Sequence, residues 1–344
     1  MNLGMKLLLP LAVLATIPVF ADDGAASIAA GGLVVMGKEP RIVMAREVLQ
    51  ISMHKVIVDY DFRNDSDQEI TTEVAFPIPE YGLPDIDQQW GGFDDFRLWV
   101  NGAPARSQVE ARAFLNNKEY TRLLNRMHVD VATLGHQSSD KTGKFMAPDI
   151  ERLTAAEHKQ LEDAGLVAYN ETVYVAFTPE WHVRKKYYLK QIFPAHKIVH
   201  VRHEYTPAIG FEDNLEAGLR TIDPDPEAAK SLREFCIDDR LSKTLKQIAD
   251  GPGSIDAPDY YVDFILTTAN TWKTPIEDFT LIVDRPHGYS DFPNQVSFCW
   301  NGPIKKIDAN HFSAHAVNLV PKKELHIGFF TVYDHSLDVP NISH

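Results

Sequence analysis

The densest group of residues that could do chemistry is a histidine trio, His196, His200 and His203. Zinc needs three or four ligands converging at about 2.0–2.3 Å. On an extended strand, His196 and His200 point to one face and His203 to the other. One strand therefore cannot gather all three, and the trio reads as solvated histidines with His203 packed near Tyr205. No metal site is expected there. Asp85-Ile86-Asp87 and Asp94-Asp95, around Gly91-Gly92, could offer oxygen ligands to calcium. They lack the regular Asp-x-Asp-x-Asp-Gly order with a later Glu, and Asx turns explain them equally well. No Gly-x-Ser-x-Gly elbow, His-Glu-x-x-His, Gly-x-Gly-x-x-Gly or phosphate-binding Gly-Lys-Ser loop occurs. No catalytic residue and no cofactor is expected. Carboxylates are so abundant that no pair stands out as acid and base.

Two further features carry chemistry. Cys236 and Cys299 are the only cysteines. In an exported chain such a pair favours one structural disulfide; the competing reading is a catalytic thiol. The second feature is basic. His182, Arg184, Lys186 and Lys190 point outward on one predicted strand, and His200 and Arg202 on the next. Read plainly, this is a wet sheet face offset by Glu180 and Glu204. Read functionally, Arg184, Lys186, Lys190, His200 and Arg202 form a docking face for an acidic envelope protein or polymer.

Export is read from the start of the chain. Lys6 precedes an apolar run, Leu7 to Phe20, and Val19-Phe20-Ala21 places small residues where a signal peptidase reads them. Residues 1–21 are expected to be a signal peptide. The run is short for a membrane span of about 20 residues, and no later segment is long and apolar enough, so the mature chain is not expected to cross a membrane. Removing 21 residues from 344 leaves 323, and losing Lys6 takes the net charge from −14 to −15. So acidic a chain is a poor ligand for nucleic acid, where affinity rests on neutralising phosphate. The expected location is periplasmic or secreted.

The elements that must position these residues are mostly strands. His54 to Pro79 reads as a β-hairpin: Val56, Val58, Tyr60 and Phe62 share one face, Lys55, Asp59 and Asp61 the other. A polar run from Arg63 to Gln68 would turn the chain, and Ile70, Thr72, Val74 and Phe76 resume the pattern until Pro77 and Pro79. Phe96, Leu98 and Val100 alternate up to Asn101-Gly102, a type I′ turn signal. Residues 114–167 change character. A helix is expected over Lys118 to Met127, and another over Ala155 to Ala164. Thr154 and Glu157 form a capping box at the second helix, and Gly165-Leu166 a left-handed stop. Gly135 to Pro148 reads as an exposed loop. Trp181 to Phe193 and Val199 to Tyr205 are strands joined by a turn at Pro194 to Lys197. Two short helices are expected within 226–250, followed by five more strands, with Asn301-Gly302 as a second hairpin turn.

Several motifs recur in one order: Gly31-Gly32-Leu33, Ala75-Phe76-Pro77-Ile78-Pro79, Phe193-Pro194-Ala195, Val201-Arg202-His203-Glu204-Tyr205-Thr206-Pro207, Cys236, Trp272 within Ala269-Asn270-Thr271-Trp272, and Cys299. Over nearly the whole mature chain this resembles the bacterial exported family known as domain of unknown function 4424. The N-terminal half is also loosely similar to vault and inter-α-trypsin type β domains. Neither resemblance implies an activity or a catalytic residue.

The sequence therefore predicts a mainly β protein of two antiparallel sandwich-like domains, residues 22–207 with a helical insertion at 114–167, and residues 208–344 with helices at 226–250. The expected role is non-enzymatic binding or structure in the cell envelope. The alternative is a metal-assisted hydrolase of envelope material.

Overall fold

The alternating rows read from the sequence become the inner rows of packed β-sheets in the computed structural model. The structure describes residues 29–31, 34–35, 39–82, 89–90, 95–134, 148–169, 177–207, 209–212, 233–237, 243, 253–286 and 295–334. The signal segment 1–21, residues 135–147 of the expected loop, most of the expected helices at 226–250, and Asp85, Asp87 and Asp94 lie outside the described residues.

Eleven strands frame the site: β1 (Ile42–Ile51), β2 (Val56–Asn64), β3 (Ile70–Tyr81), β4 (Arg97–Val100), β5 (Gln108–Leu115), β6 (His182–Phe193), β7 (Ile198–Tyr205), β8 (Gly253–Ile265), β9 (Ile276–Asp284), β10 (His311–Leu319) and β11 (Leu325–Asp334). An eight-stranded sheet runs Ile304–Lys306, β10, β9, β1, β2, β7, β4, Ala103–Ala105. A five-stranded sheet runs Lys118–Glu119, β5, β6, β3, Val34–Val35. A third sheet is built on β11 and β8, flanked by Gln295–Phe298 and Ile209–Glu212. The fold is mainly β, as expected. Strands from both sides of the expected boundary at 207/208 share sheets: β9 pairs with β1 in parallel, and Ala29–Gly31 pairs with β8.

The strand phases follow the sequence, but the partners do not. Val56, Val58, Tyr60 and Phe62 are all buried, as alternation requires. Yet β2 pairs with β1 and β7, while β3 pairs with β6. The expected hairpin is instead an arch, in which residues 65–69 carry the chain from one sheet to the other. The turn at Pro194 to Lys197 does the same between β6 and β7. Asn64 ties the two arches together. Its buried Nδ2 donates to the carbonyls of Gln68 and Phe193, both at 2.8 Å, and its backbone N–H donates to the carbonyl of Lys197. A fully buried amide satisfied by both crossings resists sliding of one arch past the other. Asn301-Gly302 likewise joins strands of different sheets rather than a hairpin. Asn101 and Gly102, by contrast, have φ of 49° and 78° and make the expected turn. Its return strand is only Ala103–Ala105, whereas the Ala105 to Ala113 expected there mostly belongs to β5 of the five-stranded sheet.

The inner faces of the eight- and five-stranded sheets meet over aromatic side chains. The ring of Phe62 lies 4.4 Å from that of Trp272 and 6.0 Å from that of Phe193. Phe76, from the five-stranded sheet, reaches Tyr205 of the other at 5.2 Å. Burial of such rings contributes roughly 2–3 kcal/mol each before entropy is counted. The helical excursion contains α1 (Thr121–Arg126), α2 (Pro148–Glu151) and α3 (Ala155–Asp163). Helix α3 starts at the predicted capping box, with Thr154 and Glu157 bonded reciprocally. It stops at Gly165, whose φ is 68°. Helix α1 is shorter than expected, because Lys118 and Glu119 pair with β5 as strand. Cys236 and Cys299 are joined in a disulfide, with Cα atoms 5.0 Å apart.

Candidate binding recess

Strand β7 sorts its side chains by parity. Val199, Val201, His203 and Tyr205 are buried, whereas His200, Arg202 and Glu204 face out. The neighbours of the outward set come from the register. His200 lies opposite Asp61 and Arg202 opposite Asp59 on β2. Arg202 lies opposite Trp99 on β4, and Asp61 opposite Arg46 on β1. Four strands thus bring one outward aromatic and five charged or titratable side chains to one patch. They line a recess of about 300 Å³, to whose wall Gly102 of the tight turn also contributes.

Within the recess the charges are matched. Arg46 Nε donates to Asp61 Oδ2 at 2.8 Å, and His200 Nδ1 meets Asp61 Oδ1 at 2.5 Å. Arg202 Nη1 donates to Asp59 Oδ2 at 2.8 Å, and its other terminal nitrogen is 3.7 Å from Glu204. Burial alone would push the Asp61 carboxyl up, but the hydrogen bonds from Arg46 and His200 bring it below the usual carboxylate range. Asp61 is therefore ionised at neutral pH. Arg46 is held above its ordinary value chiefly by its bond to Asp61. Such pairs on a half-exposed sheet face contribute little stability each, about 0–1 kcal/mol.

The five residues expected to dock a partner are not brought together. Arg184, Lys186 and Lys190 belong to β6 in the five-stranded sheet, and His200 and Arg202 to β7 in the eight-stranded sheet. Because the inner faces of the two sheets pack on each other, their outer faces look in opposite directions. The hairpin that would have placed them side by side is an arch. Lys186 is 3.1 Å from Glu110 and 3.7 Å from Glu73, and the Arg184 guanidinium lies 4.1 Å from the centre of the Phe114 ring.

The histidines divide as the strand geometry requires. His196 sits in the arch and meets Asp67 at 2.8 Å. His200 faces out, and His203 is fully buried. Among the described residues no three His, Cys, Asp or Glu side chains converge as metal ligands. Asp95, from the Asp-rich loop weighed for calcium, accepts from the N–H and hydroxyl of Thr206 at 2.6 and 2.9 Å.

Sequence reasoning passed over Trp99, Arg46, Asp59 and Asp61 as site residues. Trp99 had a signal: with Leu98 inward, it had to point out, and an outward tryptophan is a feature to test. It also passed over the inward Glu47 and Lys185, while His203, read as packed near Tyr205, does stack on that ring. Glu47 is 1% exposed, and burial pushes its carboxyl up to about 8. Burial first, and the charge of Arg202 second, push His203 down to about 3. Lys185 is 5% exposed, and its Nζ donates to the carbonyl of Ala132 at 3.3 Å. In the run Arg184-Lys185-Lys186, Lys185 shares the phase of Val183 and Tyr187 and so turns inward.

Comparison with known proteins adds a family. A family model described as Domain of unknown function (DUF4424) matches residues 21–327. No curated protein matches the chain. Among solved structures, the chain is similar to a candidate nutrient-binding protein from Legionella pneumophila subsp. pneumophila str. Philadelphia 1. The TM-score is 0.42 at 15% identity, over 89% of this chain and 72% of that one. It is also similar to native yeast LTA4 hydrolase, with a TM-score of 0.28 at 10% identity, over 94% of this chain and 33% of that one. This chain thus spans about a third of the hydrolase. At these TM-scores neither likeness carries a functional argument. The looser likeness to vault-type domains is not shown by these comparisons.

Proposed function

We propose that this chain, which belongs to the Domain of unknown function (DUF4424) family, is an exported, non-enzymatic binding protein of the cell envelope that engages its partner through the outer face of the eight-stranded sheet. Export is supported by the signal pattern of residues 1–21 and by the disulfide between Cys236 and Cys299. The described residues include no helix long and apolar enough to cross a membrane. The observation that carries the binding reading is the recess in which Trp99 lies among Arg46, Asp59, Asp61, His200 and Arg202. An aromatic set beside donors and acceptors offers a partner both contact area and directional bonds.

The test is capture from envelope extract by the immobilised mature chain. Trp99→Ala should reduce the captured material with folding retained, since Trp99 is only half-buried. Reversal of Arg184 and Lys186, on the opposite side of the sandwich, should leave capture unchanged. Equal capture by the wild type and Trp99→Ala would end the assignment of this face. Cell fractionation of the full-length chain checks export: retention in the cytoplasm with residues 1–21 uncleaved would end that part.

A further inference from the structure

We infer that the recess on β1, β2, β7 and β4 is a saccharide subsite, which takes the ring of an uncharged sugar against Trp99. This deepens the proposed function and rests on the reading that the outer face of the eight-stranded sheet is the binding face.

Charge narrows the ligand first. Arg46 is committed to Asp61 and Arg202 to Asp59, so the two guanidiniums and two carboxylates of the recess cancel. A phosphate or carboxylate ligand would meet Asp59 and Asp61 as well as the arginines, and would have to displace one to reach the other. A cationic ligand meets the converse problem. The recess therefore lacks the one-signed field that captures ions.

A neutral, hydroxyl-rich ligand has no such conflict. Each carboxylate has more acceptor sites than its present bonds occupy: of about four, Asp61 uses three and Asp59 one. Each guanidinium has five donors, of which the bonds to Asp61 use two in Arg46 and the bond to Asp59 uses one in Arg202. Adjacent hydroxyls of a sugar can donate to Asp59 or Asp61 while accepting from Arg46, Arg202 or His200. Bonds to charged partners are about twice as strong as neutral ones. The C–H face of the ring, which is apolar, needs a flat apolar surface. Trp99 is the partly exposed aromatic side chain that lines the recess, Tyr60 being buried. A volume near 300 Å³ is at the lower end for ligand sites and matches a single ring rather than a large cofactor. Gly102 also lines the recess, with φ of +78°, and apart from its chain neighbours no heavy atom lies within 4 Å of where a Cβ would stand, so the turn adds no bulk to that wall.

The experiment is calorimetric or NMR titration of the mature chain. The probes are uncharged oligosaccharides of glucose and of N-acetylglucosamine, with polyglutamate and dextran sulfate as charged controls. Wild type, Trp99→Phe and Trp99→Ala are compared after their melting temperatures have been shown to agree. At least one uncharged oligosaccharide should bind, with affinity nearly independent of salt. Trp99→Ala should weaken it by about tenfold or more, and Trp99→Phe should restore most of the loss. Binding of charged polymers alone, falling steeply with salt, would overturn the inference. So would saccharide binding that Trp99→Ala leaves intact. If no saccharide binds while envelope capture still depends on Trp99, the ligand class is wrong and the docking face stands. If capture is also independent of Trp99, both fall.

Discussion

The ring of His203 lies 4.9 Å from that of Phe76, centroid to centroid, across the interface of the two packed sheets. Phe96, Tyr60 and Tyr205 complete its surroundings at 5.5, 5.7 and 5.8 Å. Neither ring nitrogen of His203 has a protein hydrogen-bond partner among the described residues. The histidine thus serves as a neutral aromatic ring, and protonating it would place a charge among four aromatic rings.

The acid limb of stability follows from that setting. The unfolded imidazole takes up a proton near pH 6.5, while the folded one stays neutral down to about 3. Across that window the unfolded state binds more protons, so stability falls as pH drops from 6.5 towards 3. His203→Phe keeps a ring in place and removes the titration. Denaturant unfolding at pH 4 and pH 7 should show a smaller difference for the variant than for the wild type. An equal difference in both would mean that His203 does not set the acid limb.

Glu47 imposes the opposite slope. An unfolded carboxyl loses its proton near its ordinary 4.5, and the buried one near 8. The folded state holds the extra proton in between, so this residue's contribution to stability is present below 4.5 and is lost as pH rises to 8. Glu47→Gln is close in shape and cannot ionise. It should raise the melting temperature at pH 8 and change it little at pH 4.5. A variant less stable than the wild type at pH 8 would show that the carboxylate is stabilised where it stands.

Cys236 and Cys299, 63 residues apart, close a long loop. Replacing both with Ser should cost about 4 kcal/mol in the chain-entropy view. Peptide mapping of the protein isolated without reductant should find the two half-cystine peptides linked. Two free thiols would exclude the bond.

Gly210 lies opposite Tyr261, whose ring covers it so closely that a Cβ would overlap the ring carbons. Gly210→Ala must displace that ring from a buried position. A loss of about 1–3 kcal/mol is expected from overpacking, read as a fall in denaturation midpoint. An unchanged midpoint would mean that Tyr261 moves without cost.

Much of this protein was legible in its residues. Alternation named the buried faces of β2 and β7. It also put Asp59, Asp61, His200 and Arg202 on the wet side, because side chains of period two have no other choice once one face is apolar. Asn101-Gly102 marked its turn, and Thr154 with Glu157 marked its helix start, because both signals are satisfied by backbone groups a few residues away. What tertiary structure alone decided was pairing. A strand, polar turn, strand pattern suits a hairpin and an arch equally, since both bury the same rows. The choice at Asn64 to Ile70 rests on β1 and β6, and on an amide that bonds Phe193 from 129 residues away. That choice separated Lys186 from Arg202 and assembled the recess from four strands. It also buried Glu47 and set His203 against Phe76 of the facing sheet, because burial between two sheets depends on both sheets and each strand's sequence describes only one.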